Sequence, residues 1–466
     1  MASTSQLAQT PRATAAPGEV LVIVCAGVVL ASLDLFIVNV ALPRIAVDLH
    51  EPDLGRLSWV LNAYAIVYAA LLVFFGRLAD RYRRDRGFLL GVAIFTAASA
   101  GCALSVNLEM LVGLRVLQAA GAALLTPTSL GLVLASFPAE RRAGAVRAWT
   151  ATGGAAAALG PVVGGLLVSV DWRWVFLVNV PIGLLALAVG WRRLPAVPGH
   201  DIEAPDALGA VLVTGGVGAL TLALVEGSTW GWSDAATLGA LAAAALLLAG
   251  FVAHCLRARS PLVTPELFST QGFSVASVIT LLHGTAFAAM IFSAVLVPQE
   301  VWGWSPLRTG FAVAVGPLMV PIVAFGVAGR LIARFGPGPV IAAGCLSIGA
   351  GTAWFALHVT AEPHYATAIL PGMLATGVGV GLSLPTIMAA AAGSLPPSAF
   401  STGSAVVNMI RQTGMALGVA IVVAILASAA APVTGFHRAW WTTSALTVVA
   451  ALVALVGLRV TDGEHV

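Results

Sequence analysis

From residue 20 to residue 458 the chain is a succession of apolar stretches, each about twenty residues long, separated by short polar segments. A helix rises 1.5 Å per residue, so about twenty apolar residues cross a hydrocarbon core of about 30 Å. That ruler predicts fourteen spans, at 20–43, 57–78, 88–106, 109–133, 145–170, 175–194, 207–226, 235–255, 272–297, 309–333, 338–359, 365–392, 400–430 and 437–458. The fold class expected is an all-α polytopic membrane protein with 14 transmembrane helices. The first apolar run is too long for the core of a signal peptide, and residues 1–19 read as a disordered Ala/Pro/Thr tail.

Composition sharpens this. Hydrophobic residues make up 59% of the chain and charged residues only 9%, against roughly a quarter charged in a soluble domain; mean hydropathy is +0.97. A soluble enzyme is excluded. The 23 basic residues are all arginine, so there is no lysine for a nucleotide-binding P-loop or a Schiff base. Neither nucleotide nor nucleic acid is an expected partner. Cys25, Cys102, Cys255 and Cys345 sit in or beside separate apolar runs without C-x-x-C spacing, which suggests buried small residues rather than disulfides or a metal site.

Arginine also sets the orientation. With both termini inside, the inner side holds sixteen arginines: Arg12, Arg77, Arg81, Arg83, Arg84, Arg86, Arg141, Arg142, Arg147, Arg192, Arg193, Arg257, Arg259, Arg330, Arg334 and Arg459. The outer side holds five, Arg44, Arg56, Arg173, Arg308 and Arg438, while Arg115 and Arg411 fall inside spans.

The chain repeats itself. Gly76-Arg77-Leu78-Ala79-Asp80-Arg81-Tyr82 returns as Gly329-Arg330-Leu331-Ile332-Ala333-Arg334-Phe335, an offset of 253. Gly121 with Pro127-Thr128 returns as Gly379 with Pro385-Thr386, and Leu159-Gly160 as Leu417-Gly418, both offset by 258. The repeats predict two homologous six-helix halves, 20–194 and 272–458, with a linker and two inserted helices at 195–271 and a cytoplasmic tail at 459–466.

Two intramembrane charges carry the candidate chemistry. An aspartate near a helix centre costs about 2.5–3.5 kcal/mol to insert, so Asp34 calls for a partner. It lies nine residues from the outer end of its span and Arg115 six from the outer end of its own, depths of about 13 and 9 Å. The two can meet, either as a proton or cation site or as a purely structural ion pair. Arg115 stays charged, so it acts on a neighbouring acid by electrostatics, or else packs with Gln118. At the end of the second span, Asp80 beside several arginines reads as a conformational latch or as a simple inner-side anchor.

These motifs together resemble the major facilitator superfamily and, within it, the fourteen-helix drug:proton antiporter branch of the EmrB/QacA type. The loop Gly76 to Arg84 is similar to the family's latch signature (Gly76, Asp80, Arg81, Arg84), with Arg83 where Gly is usual and Asp85 where a basic residue is usual. Leu33-Asp34-Leu35-Phe36-Ile37-Val38-Asn39 resembles the branch's first-helix signature, with Phe36 in place of Thr. Arg115-Val116-Leu117-Gln118 looks like its proton-linked arginine motif. Gly154 with Gly160-Pro161-Val162-Val163-Gly164-Gly165 resembles the antiporter motif, with Ala156 where its first Gly usually stands. Trp172 to Gly183, Ser305-Pro306-Leu307, and Asn408 with Arg411-Gln412 are also typical of the branch.

The resemblance implies a proton-coupled antiporter in the bacterial cytoplasmic membrane, monomeric, driven by the proton motive force without a cofactor, and exporting lipophilic, often cationic drugs or antibiotics by alternating access. Proton coupling and substrate binding would fall to Asp34, Arg115, Gln118 and Asn39, and the hinge to Gly154, Gly160, Pro161, Gly164 and Gly165. Asn408, Arg411 and Gln412 would be the polar positions of the second half; Arg411 could equally bond carbonyls near Gly403 or Gly414. Glu226 and Glu300 near span ends and His283 in mid-span are secondary candidates, His283 reading first as a hydrogen-bonded core residue. Tryptophans at 172, 174, 230, 232, 302, 304, 440 and 441 read first as an interfacial belt. Alternatives left open are a dedicated exporter or symporter of one host metabolite, and a non-transporting scaffold. An intramembrane enzyme finds no motif to stand on.

Overall fold

The computed structural model describes residues 16–199, 205–395 and 400–458. Among them, fourteen helices are long and apolar enough to cross a membrane: α1 Pro17–Asp48, α2 Leu54–Ala79, α3 Arg84–Ala103, α4 Leu108–Ser136, α5 Glu140–Val168, α6 Trp174–Arg193, α7 Ala207–Trp230, α8 Ala235–Cys255, α9 Gln271–Val301, α10 Pro306–Phe335, α11 Pro337–His358, α12 Tyr365–Gly393, α13 Thr402–Ala427 and α14 Pro432–Gly457. Polar residues mark where several begin. The side chains of Asp53, Asn107, Asp206 and Asp234 each accept from a backbone N–H of the first helical turn, at 2.7–2.8 Å, satisfying donors that the helix itself leaves open.

The packing of the first six helices returns in the last six. α1 lies on α5 and α9 on α13; α3 lies on α4 and α11 on α12; α2 lies on α4 and α10 on α12; α6 and α14 each cover the outside of their own set. Glycines make the close approaches. Gly91 and Gly121 let α3 and α4 touch backbone to backbone, and Gly344 and Gly379 do the same for α11 and α12. The offsets between these pairs are 253 and 258, those of the sequence repeat.

Two seams join the sets, α5 on α10 and α2 on α13. The inserted helix α7 packs on both α2 and α13, and α8 packs on α7. At the arginine-poor end one continuous apolar cluster runs through α1, α2, α9, α13 and α14, from Leu42 and Val60 to Val295, Val422 and Trp440. At the arginine-rich end the core is divided. Val24, Phe88 and Leu132 belong to a cluster of the first set, Ile279 and Ile341 to one of the second, and Val323 and Leu382 to another. Among the described residues, one cluster bridges there, joining α2, α7 and α13 through Val73, Val213 and Val406 and reaching Phe273 of α9. The molecule is thus closed at the arginine-poor end.

Several expectations need correction. The tryptophans do not form a single belt: Trp172, Trp304 and Trp440 are buried. The indole N–H of Trp440 donates to Ser293 Oγ at 2.9 Å and that of Trp172 to Asp48 at 2.8 Å, so both are core residues with a satisfied polar tip. Trp174, Trp230, Trp232 and Trp441 are exposed. Cys102, Cys255 and Cys345 are buried, but Cys25 is only half-buried.

Candidate functional site

Asp34 sits on α1, Arg115 and Gln118 one turn apart on α4, and the structure brings all three together in full burial. Arg115 Nη1 donates to Asp34 Oδ2 at 2.5 Å and to Gln118 Oε1 at 2.7 Å; Gln118 Nε2 donates to Asp34 Oδ1 at 2.8 Å. Three participants were not anticipated. Ser99 on α3 accepts from Gln118 Nε2 at 2.7 Å, Asn179 on α6 reaches both Asp34 Oδ1 and Ser99 Oγ at 3.4 Å, and the Tyr64 ring on α2 lies 4.1 Å beneath the Arg115 guanidinium. Arg115 Nε completes the set by donating to the Val60 carbonyl at 3.0 Å. Every group aimed at Asp34 is a donor, which fits a carboxylate. A charge pair this deep persists only when its remaining hydrogen-bonding capacity is filled.

Signals for the missed residues were present. Asn179 lies in the Trp172 to Gly183 stretch and Ser99 in an otherwise small-residue run; a polar side chain in a span needs a partner, and both found it here.

Arg115 also faces inward. With Leu35, Phe36, Asn39, Leu61, Asn62, Ala65, Ala288, Ile291, Met415 and Val419 it lines a cavity of about 30 Å³ between the two helix sets, room for about one water. Asn39 belongs to this wall and not to the aspartate cluster; its amide bonds back to Leu35 O at 3.2 Å. Phe36 in this wall packs edge-to-face with Phe287 on α9, ring centroids 6.1 Å apart, and Phe287 stacks with His283 at 6.4 Å. His283 is buried and shares a 2.9 Å hydrogen bond with Ser383 on α12.

The glycines of α5 divide by direction. A side-chain carbon at Gly160 would stand 2.7 Å from Phe36 Cβ and one at Gly164 3.0 Å from Ile37 O, so these two seat α5 on α1. At Gly165 the obstacle is Pro306 O at 2.6 Å, on α10 of the other set, and Gly310 of α10 is pressed in turn against the Pro161 carbonyl. Gly154 faces open space. The seam therefore closes tightly around Pro161, Gly165, Pro306 and Gly310, near the arginine-poor end.

In the loop after α2, the side chain of Asp80 lies outside the described residues. Gly76 stands loosely against Pro127 on α4, and the Arg84 side chain crosses Gly131. Arg81 approaches the Tyr82 ring at 5.9 Å. The two departures from the family signature answer each other: Arg83 Nη2 donates to Asp85 Oδ2 at 2.6 Å and Nε to Oδ1 at 3.2 Å. Arg77 reaches away, to Ser260 Oγ at 2.8 Å and Thr264 Oγ1 at 3.2 Å in the segment between α8 and α9. That segment is also pinned by Asp206, whose carboxylate accepts from Leu262 N at 2.9 Å and meets His254 at 2.9 Å. Burial pushes the Asp206 carboxyl up, but the hydrogen bonds from Gly209, His254 and Leu262 outweigh it and hold it below the ordinary value.

In α13, Arg411 is half-buried and its one side-chain hydrogen bond to a described residue goes to Asn408 Oδ1 at 3.4 Å, not to the carbonyls near Gly403 or Gly414. Gln412 is fully buried. Glu226 is half-buried and Glu300 exposed, both towards the arginine-poor end and away from the cavity. Among the described residues no group of three or more His, Cys, Asp or Glu could hold a metal ion.

Two sets of six membrane helices around a central cavity, with one member of a buried charged pair in its wall, define a transporter and not an enzyme. The sequence profile of the Major Facilitator Superfamily matches residues 24–419, and the chain belongs to that family, in its fourteen-helix drug:proton antiporter branch. It is 35% identical over 427 residues to the tetracenomycin C resistance and export protein of Streptomyces glaucescens, covering 88% of this chain and 76% of that one. It is 33% identical over 458 residues to the methylenomycin A resistance protein of Bacillus subtilis (strain 168), covering 96% and 95%. Among solved structures, a POT peptide transporter in complex with sulfate superposes with a TM-score of 0.70 at 16% identity, covering 94% of each chain. A D-xylose-proton symporter does so with 0.70 at 14%, covering 96% and 99%. At such identities the structures speak for the fold alone. The protein is a multi-pass membrane exporter related to antibiotic resistance and export proteins.

Proposed function

We propose that this protein is a proton-coupled antiporter of the bacterial cytoplasmic membrane that exports lipophilic antibiotic-like compounds, working as a monomer with both termini inside. The observation that carries the reading is the double engagement of Arg115, which holds Asp34 in the buried cluster and forms part of the cavity wall. A proton arriving on Asp34 neutralises the carboxylate and releases Arg115. A substrate in the cavity meets the same guanidinium from the other side. Proton and substrate thus act on one side chain, so the binding of either changes the free energy of the other, which is the coupling that proton-driven transport requires. Substrate enters from the arginine-rich end, where the core is divided, and the two six-helix halves rock about the α5–α10 and α2–α13 seams. Gly160, Pro161, Gly164 and Gly165 set how closely α5 can pass α1 and α10. The latch residues Gly76, Asp80, Arg81 and Arg84 act at the end that opens.

The names of the relatives support export of an antibiotic, and the Streptomyces glaucescens protein, named for the export of one compound, supports a second reading, a dedicated exporter of a single metabolite. The test is proton movement from acid-loaded inverted vesicles on addition of a compound panel, with Asp34→Asn alongside. Compound-driven proton flux that the substitution abolishes is expected. Flux that survives Asp34→Asn overturns the role given to Asp34, and compound transport without any proton flux overturns antiport.

A further inference from the structure

The cavity wall carries a positive charge and no acid. Asp34 is sealed inside the first helix set, with both carboxylate oxygens occupied by donors. Glu226 and Glu300 stand near the arginine-poor ends of α7 and α9 and do not line the cavity. Arg411 is different. At 100° per residue, Asn408, Arg411, Gln412, Met415 and Val419 fall within an arc of about 100° on α13, and Met415 and Val419 of that arc line the cavity. Arg411 lies one turn from Met415 towards the arginine-rich end. It is within electrostatic reach of Tyr68 on α2 and His283 on α9, which places it inside the bundle. Among the described residues it has no acidic partner, only the 3.4 Å contact with Asn408.

Neutral polar groups on the same faces also lack partners. Gln412 is fully buried and neither its Nε2 nor its Oε1 meets a hydrogen-bonding group, and Asn62 Oδ1 in the cavity wall meets none. Buried amides left open in this way cost stability unless something fills them. Beside them runs the aromatic series Phe36, Phe287 and His283, which crosses from α1 to α9.

We propose that the transported compound is a planar, ring-bearing organic anion, an aromatic carboxylate or phenolate, whose charge is met by Arg411 on its way in from the arginine-rich end. With the halves parted at the arginine-rich end, its rings lie against Phe36 and Phe287, its carbonyl groups accept from Gln412 Nε2, and its hydroxyl groups donate to Gln412 Oε1 and Asn62 Oδ1. A lipophilic cation finds no carboxylate in this cavity and one fixed arginine against it. The inference rests on the export reading above and narrows its substrate class away from the cations that the sequence alone suggested.

The test uses the full chain in inverted vesicles with two dyes on one ring system, fluorescein as the anion and rhodamine 123 as the cation, and Nile red as the uncharged control. Wild type is expected to move fluorescein in preference to rhodamine 123. Arg411→Gln should raise the fluorescein KM at least tenfold while Nile red transport stays within twofold, and Arg411→Lys should restore most of the fluorescein transport. Wild-type preference for rhodamine 123, or an unchanged fluorescein KM in Arg411→Gln, overturns the inference and leaves antiport standing. If both Arg411 variants lose Nile red transport as well, the arginine is structural and the inference is again overturned. Failure of wild type to move any of the three dyes or any protons instead counts against the export reading itself.

Discussion

Replacing Asp34 with asparagine removes one charge from the buried cluster and strands the other. Arg115 keeps the Val60 carbonyl at 3.0 Å, Gln118 Oε1 at 2.7 Å and the face of Tyr64 at 4.1 Å. Breaking a buried pair by removing one partner costs about 3–5 kcal/mol. A ring beneath a desolvated cation offsets up to about 2 kcal/mol, so the loss should fall near the lower bound, about 3 kcal/mol. Arg115→Gln should cost a similar amount, because Asp34 then keeps only the amides of Gln118 and Asn179. The double variant replaces two charges by two amides that can bond each other. Its cost should fall short of the sum of the singles by about 2 kcal/mol, well beyond the 0.3–0.5 kcal/mol scatter of independent sites. Cys102 supplies the assay, being buried and 3.8 Å from Gln118 Oε1. In a chain whose other three cysteines are replaced by alanine, its labelling by a thiol reagent reports unfolding in mixed SDS micelles. Additive costs would refute the claim that the two residues form one unit.

Other expectations follow from the seams and loops. Gly165→Val should push Pro306 away, cost about 1–3 kcal/mol by overpacking and abolish transport, whereas Gly154→Ala, facing open space, should leave transport within about twofold; equal effects in a vesicle transport assay would contradict the direction assigned to each. Arg77→Ala should free the segment between α8 and α9 and speed tryptic cleavage after Arg257 and Arg259, measured on inverted vesicles. Asp206→Ala should do the same and cost about 1 kcal/mol as a lost cap. Because the Asp206 carboxyl is held below its ordinary value of 3.8, its contribution is complete above that pH and is lost only as pH falls below it; protection of the segment measured with pepsin should therefore decline below about pH 4, and a decline already complete at pH 5 would contradict the assignment.

Helix number was legible because about twenty apolar residues in a row admit one interpretation in lipid. The meeting of Asp34 and Arg115 was legible as well, since rise per residue gave both the same depth. Which other side chains share that depth was not, because depth says nothing of azimuth: Ser99, Asn179 and Tyr64 join the cluster through the way α2, α3 and α6 are turned. Asn39, five residues from Asp34, points to the cavity for the same reason. The tryptophans misled because position near a span end fits both an interfacial ring and a core ring, and only packing distinguishes Trp440 from its neighbour Trp441. Arg83 and Asp85 each look like a departure when read singly, yet they are one compensating pair. The glycines of α5 announced close approach without saying to which neighbour.

The position of α7 carries a consequence for how such a machine can be altered. It rests on α2 and on α13 together, along the one line where the core stays continuous between the sets at the arginine-rich end. If α2 and α13 slide past one another during the cycle, α7 is the bearing on which they run, and its small apolar side chains Ala210, Val213 and Val217, buried in the cluster shared with those two helices, are the running face. The insertion is then a moving part under load, and a chain shortened to twelve helices would have to grow a new surface along α2 and α13 before it could turn over at all.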